Sequence, residues 1–208
     1  DAAVQRAKIR MNTGDHRAAI DDLNVALQLD GDQPELLQLR ARACVECDDP
    51  GAAVRDYTRV LELQPENVAA RTDRAAILRR MGDVDAALED AVVVLNKDPQ
   101  HRESLIIRAD THRARNQLED ALQDYDVVLE ADNSDDELLW RRCQTRLSLG
   151  MDVLAIRDLD LILERNPQHG EALAERARLK EAAGAFASAI ADLSVLLKNH
   201  PDDVAAWG

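Results

Sequence analysis

The chain has 208 residues, 46% of them hydrophobic, 32% charged and only 2% aromatic, so it carries enough apolar side chains for a core of Ala, Leu, Val and Ile, and too many for disorder. A formal net charge of -14 disfavours nucleic acid and anionic membrane as partners, because both are held by clustered Lys and Arg. No apolar run approaches the roughly 18 residues needed to span a bilayer, and three cysteines, Cys44, Cys47 and Cys143, are too few for a disulfide scaffold and fit a reducing, cytoplasmic setting.

The predicted elements recur every 34 residues, in units at 1–33, 34–67, 68–101, 102–135, 136–169 and 170–203. In the first unit Arg6-Ala7 marks a first helix, Gly14 a turn, Ala19, Ile20, Asp22 and Leu27 a second helix, and Gly31 its end. The second unit repeats this with Arg40-Ala41, Asp48, Ala53, Val54, Asp56, Leu61 and Pro65, and the third with Arg74-Ala75, Gly82, Ala87, Leu88, Asp90, Leu95 and Pro99. The fourth carries Arg108-Ala109, Asn116, Ala121, Leu122, Asp124, Leu129 and Asn133. Arg142-Cys143, Gly150, Ala155, Ile156, Asp158, Leu163 and Pro167 form the fifth, and Arg176-Ala177, Gly184, Ala189, Ile190, Asp192, Leu197 and Pro201 the sixth. Gly, Asn and Asp tolerate the left-handed conformation that ends a helix, and Pro and Gly break one. Each unit therefore reads as helix, tight turn, helix, turn, with Ala where two helix axes approach closely.

The period, the Gly after the first helix, the Ala opening the second and the Pro closing the unit resemble tetratricopeptide repeats over essentially the whole chain. That resemblance implies an all-α, right-handed α-α superhelical solenoid forming a single domain over 1–208, with residues 204–208 starting a further helix that carries Trp207, so that the chain reads as part of a longer solenoid. The sequence departs from the family in having Arg-Ala or Arg-Cys where Leu-Gly is usual, and in keeping few aromatics besides Tyr57, Tyr125 and Phe186. The Arg-Ala and Asp-apolar pairs are similar to repeats of J-domain co-chaperones. The Lys and Asn set with which other co-chaperones clamp acidic tails is missing: Lys8 stands where Asn is expected and Val4 where Lys is.

Two charged columns lie beside small and apolar positions, so burial is expected, and a buried charge is costly unless paired. Arg40, Arg74, Arg108, Arg142 and Arg176, with Asp22, Asp56, Asp90, Asp124 and Asp158, are expected to form a structural ladder of ion pairs, since the Arg fork matches a carboxylate. Pairing from one repeat to the next (Asp56 with Arg74, Asp90 with Arg108) is favoured over pairing within a repeat (Arg40 with Asp56).

In the family the first helices line a concave, ligand-bearing surface. The resemblance therefore offers Leu39, Arg42, Arg79, Ile106, Ile107, Arg113, Trp140, Arg141 and Gln144 as candidates for peptide binding. Ile106, Ile107, Trp140 and Arg141 form the sharpest expectation, as exposed apolar residues beside an Arg; the alternative is that they pack into the core between repeats. The expected partner is a protein or peptide, either of a dedicated scaffold or, alternatively, an unfolded client of a co-chaperone. No catalytic residues, metal site or cofactor are expected: the five histidines lack ligand spacing, no phosphate loop or nucleotide fingerprint occurs, and the acidic run 132–137 lacks the Gly and Glu of a calcium loop. Cys44 and Cys47 have redox spacing but sit within a helix, as structural thiols.

Overall fold

In a computed structural model, residues 2–199 are described; the expected further helix at 204–208, with Trp207, lies outside them. The described residues form twelve α-helices and no strand. They fall into two compact units, 1–115 and 116–208, divided within the fourth 34-residue repeat.

The first unit holds α1 (Ala2–Asn12), α2 (His16–Asp30), α3 (Pro34–Glu46), α4 (Pro50–Leu63), α5 (Val68–Met81), α6 (Val84–Leu95) and α7 (Arg102–Ala114). These are three helix pairs and the first helix of a fourth, each packed on its neighbours in chain order, with α5 also touching α7. The second unit holds α8 (Leu118–Ala131), α9 (Asp136–Ser148), α10 (Asp152–Arg165), α11 (Gly170–Ala182) and α12 (Phe186–Asn199), likewise packed in sequence.

Local chemistry sets the helix ends. The side chains of Asp15, Asp49 and Asp83 accept hydrogen bonds from the backbone N–H groups of Ala18, Ala52 and Ala86, capping α2, α4 and α6. Asn67, His101, Asp135 and His169 cap α5, α7, α9 and α11 in the same way. Such caps satisfy donors that the first helical turn leaves open. The turn inside each repeat is left-handed: Asp48 and Asn116 have φ of 57° and 59°, and Gly82, in the matching position, has 85°.

The alanine columns lie where the helices meet. Ala7, Ala41, Ala75 and Ala109 are fully buried on the first helices, as is Cys143 in the same column, and Ala19, Ala53, Ala87, Ala121 and Ala155 on the second helices. Side chains this small let helix axes close to short range, and larger residues fill the flanking space. Leu23, Leu37, Tyr57 and Val60 do so in the first unit, and Leu138, Leu139, Leu159 and Ile162 in the second.

Candidate functional site

In five repeats the charged columns pair within the repeat, which corrects the expected pairing between repeats. Asp56 receives hydrogen bonds from Arg40, not Arg74, through Nε at 2.8 Å and Nη2 at 2.6 Å. Arg74 instead grips Asp90, with both bonds at 2.8 Å. Arg142 holds Asp158, with Nη2 at 2.6 Å, and Arg176 holds Asp192, with Nη2 at 2.6 Å. The sequence offsets, 16 residues within a repeat against 18 between repeats, are too alike to have decided this. Arg108 lies in the first unit and Asp124 in the second.

The guanidinium has a third donor nitrogen, and that one does reach the preceding repeat. Arg40 Nη1 donates to Asn24 at 2.7 Å, and Arg74 Nη1 to Thr58 at 3.0 Å. Arg142 Nη1 donates to Asp126 at 2.9 Å, and Arg176 Nη1 to Asp160 at 2.6 Å. The acceptors occupy one column, two residues after the column aspartate. Its polar character in five of six repeats (Asn24, Thr58, Asp126, Asp160, Ser194) was the signal in the sequence.

Further cations crowd the aspartates. Arg10 reaches Asp22 at 2.7 Å, Arg71 reaches Asp90 at 3.1 Å, Arg146 reaches Asp158 at 2.8 Å and Lys180 reaches Asp192 at 2.8 Å. Hydrogen bonding from Arg6 holds the Asp22 carboxyl below the usual carboxylate range. Complete burial pushes Asp158 up, against the downward pull of Arg142 and Arg146. Burial likewise pushes the Cys44 thiol up to about 11 and the Cys143 thiol up to about 12. These two are buried and uncharged at neutral pH, whereas Cys47, at the end of α3, is exposed.

A cleft of about 240 Å³ opens on the first-helix face of the first unit, between α3 and α5. Arg42, Val45 and Glu46 form one wall, Asp73, Ala76, Ile77 and Arg80 the other, and Tyr57 of α4 forms the floor. The Tyr57 hydroxyl donates to Asp73 at 2.9 Å, which fixes that carboxylate at the cleft wall. Arg42 stands 3.8 Å from Asp73 and is largely exposed. The cleft thus offers an apolar strip bordered by two arginines and two acids, which suits a segment with an apolar side chain and polar flanks. A second, larger cavity of about 560 Å³ lies between α2 and α4, over the C-terminal half of α3, and is lined mainly by charged side chains, among them Arg17, Arg40, Arg55 and Asp56.

Of the residues expected to bind peptide, Arg42 lines the cleft, and Leu39 is half-buried against the core. Arg79 is half-buried and pairs with Asp110 at 3.1 Å. Ile106 is half-buried, and Arg113 and Gln144 are exposed. Ile107 is not a surface residue: it is 4% exposed and packs in a core cluster with Ala75, Leu78, Ala87 and Ala91. In the second unit Trp140 is half-buried and stacks on His169, with ring centroids 6.1 Å apart, and Arg141 pairs with Glu137 at 3.1 Å. Ile106 and Ile107 belong to the first unit, and Trp140 and Arg141 to the second. Tyr57, Val45, Ala76 and Ile77 were missed as cleft residues, because a 3.6-residue stripe does not separate core positions from a groove floor.

Residues 39–94 and 78–136 each match the family model of the tetratricopeptide repeat. These segments are tetratricopeptide repeats. No curated protein matches the chain. Solved tetratricopeptide proteins share its fold. The C-terminal part of a repeat protein from Cytophaga hutchinsonii aligns at 15% identity with a TM-score of 0.81, over 98% of this chain and 81% of that one. A tetratricopeptide repeat protein from Parabacteroides merdae aligns at 20% identity with a TM-score of 0.78, over 95% and 78%. PilF of Pseudomonas aeruginosa aligns at 15% identity with a TM-score of 0.78, over 97% and 92%. The chain thus has the all-α fold of tetratricopeptide solenoids.

Proposed function

We propose that the whole chain is a tetratricopeptide scaffold that performs no chemistry and binds a peptide segment or protein surface on its first-helix face. The observation that supports this is the cleft between α3 and α5, where Arg42 and Arg80 border Val45, Ala76 and Ile77 over Tyr57. Its walls can hold an extended segment by one apolar anchor and by hydrogen bonds to its flanks. Display of a random peptide library against the 208-residue protein tests the reading. It predicts an enriched motif whose titrated affinity falls at least tenfold in an Arg42→Ala, Arg80→Ala variant. No enrichment, or binding indifferent to both substitutions, would overturn it.

A dedicated scaffold is also separable from a co-chaperone that holds unfolded clients: only the latter suppresses aggregation of several unrelated denatured proteins. His200-Pro201-Asp202 spells the tripeptide of a J-domain, but Pro201 occupies the column of Pro65, Pro99 and Pro167, so the repeat period accounts for it.

A further inference from the structure

The larger cavity of the first unit, about 560 Å³ between α2 and α4, has the volume of a small-molecule site. Its more buried side is neutral, because Arg40 commits Nε, Nη1 and Nη2 to Asp56 and Asn24. The exposed side carries both signs of charge. Arg17 of α2 and Arg55 of α4 line it, and among the described residues neither makes an ion pair or a side-chain hydrogen bond. Gly51 bears no side chain, and a Cβ there would lie 3.6 Å from Arg55 Nη1, so this guanidinium rests over the first turn of α4. Asp21 and Asp49 line the same cavity. A ligand with carboxylate and ammonium groups together suits this lining better than a bare anion, since each group meets an opposite charge.

Two thiols open on the same space. Cys44 and Cys47 both line the cavity, at places where the next repeat has Leu78 and Met81. Cys47 is exposed at the end of α3, whereas Cys44 is buried and its thiol is pushed up to about 11. The thiolate is the nucleophile of disulfide exchange, so Cys47 is the thiol placed to react.

We propose that this cavity binds a small zwitterionic disulfide and captures half of it as a mixed disulfide on Cys47. Cys47 gives its proton to solvent, and its sulfur attacks one sulfur of the bound disulfide. The ligand's S–S bond breaks as the bond to Cys47 forms, and the departing thiolate takes up a proton from water. One disulfide replaces another, so no further oxidant is needed. The protein is the substrate of this exchange and not its catalyst. The adduct persists because Cys44 stays protonated, and because side chains three apart on a helix stand about 5–6 Å apart at Cβ, wider than the roughly 3.5–4.5 Å of a disulfide.

Incubation of the 208-residue protein with glutathione disulfide, and separately with the uncharged hydroxyethyl disulfide, tests this. Peptide mass spectrometry should place the glutathione adduct on Cys47. The ratio of the two rates should exceed the same ratio for N-acetylcysteine amide, which measures intrinsic reactivity, by about fivefold. Arg17→Ala and Arg55→Ala alter exposed side chains, so the doubly substituted variant should keep the helical circular dichroism of the parent. Its ratio should fall to that of the model thiol, while its rate with hydroxyethyl disulfide stays within about twofold of the parent's. A parent ratio at or below the model thiol's, as a bare thiol on a chain of net charge -14 would give, overturns the proposal. So does a variant that keeps the parent's ratio, an adduct on Cys143, or a Cys44–Cys47 disulfide in place of the adduct.

Discussion

Arg142 spans two repeats: its Nη2 lies 2.6 Å from Asp158 of its own repeat, and its Nη1 lies 2.9 Å from Asp126 of the repeat before. Asp158 is fully buried and also takes Arg146. Asp158→Ala would strip Arg142 and Arg146 of their buried carboxylate and leave both only the half-exposed Asp126, and should cost about 3 kcal/mol, the lower end of the usual penalty for removing one member of a buried pair. Urea denaturation followed by circular dichroism reads this directly. A loss below about 1 kcal/mol would place the pair among weak surface contacts instead.

The reach to the neighbouring repeat has its own test. Asn24→Ala removes the acceptor of Arg40 Nη1 but leaves the Arg40–Asp56 pair in place. A hydrogen bond to a charged group contributes about 1.5–3 kcal/mol, so the loss should fall near the lower figure at this half-buried site. A double-mutant cycle with Arg40→Ala should show coupling between the two side chains, whereas independent contributions would mean that the seam does not depend on this bond.

Gly82 ends α5 at φ +85°, and a Cβ added there would meet nothing within 4 Å. The cost of Gly82→Ala is therefore conformational alone, about 1 kcal/mol in thermal or urea unfolding. Asp48 holds the matching turn at φ 57°. Asp48→Gly should stay within about 0.5 kcal/mol of the parent, since relief of the left-handed strain is offset by a more flexible unfolded chain.

The thiols should react unequally. Cys47 is exposed, while burial pushes the Cys44 and Cys143 thiols up to about 11 and about 12. Titration with a thiol reagent at pH 8 should release one equivalent from the native protein and three after denaturation, because the thiolate is the reactive form. A group raised in this way favours the protonated folded state, so its contribution to stability falls as the pH climbs past the unfolded thiol value of about 8.5. Alkaline unfolding should shift to higher pH in a Cys143→Ala variant.

At the acidic end, burial raises the Asp192 carboxyl, but hydrogen bonds from Arg176 and Lys180 outweigh it and hold the group below the usual range. Its contribution is fully present above the unfolded carboxylate value, about 3.9, and is lost as the pH falls through the lower folded value. Amide exchange in α11 and α12 should therefore quicken below pH 4, and an Asp192→Asn variant should show a flatter dependence. Asp158, raised by burial, acts in the opposite sense: its titration favours the folded state below the unfolded value, and that contribution is lost as the pH rises through the folded one.

The fold was legible because periodicity multiplies a weak signal. One Asp at position 90 says little, but an Asp every 34 residues, with Ala three before and Leu five after, specifies paired helices. Turn chemistry was equally legible, and Asp48 and Asn116 adopt the left-handed conformation their column requires. Side-chain direction was harder to read. Ile106 and Ile107 are neighbours in sequence, and only the rotation of α7 in its packing decides that Ile107 faces Ala75 and Ala91 while Ile106 remains half-buried. The Arg–Asp partnership was visible as two columns, but offsets of 16 and 18 residues are too alike to choose between them, and packing decides for the pair within the repeat. The cleft went unread because its floor, Tyr57, comes from a second helix.

The division of labour within each guanidinium bears on how such a chain can change length. Nε and Nη2 are committed to the repeat's own aspartate, and Nη1 donates to an amide, a hydroxyl or a carboxylate oxygen of the repeat before, as Asn24, Thr58 and Asp160 show. A duplicated or deleted 34-residue block therefore meets a compatible acceptor wherever the repeat before it does not carry the Val92 type of residue in that column. Copy number can drift in evolution without a compensating change elsewhere, while an insertion that is not a whole block would put the arginine and its acceptor out of phase.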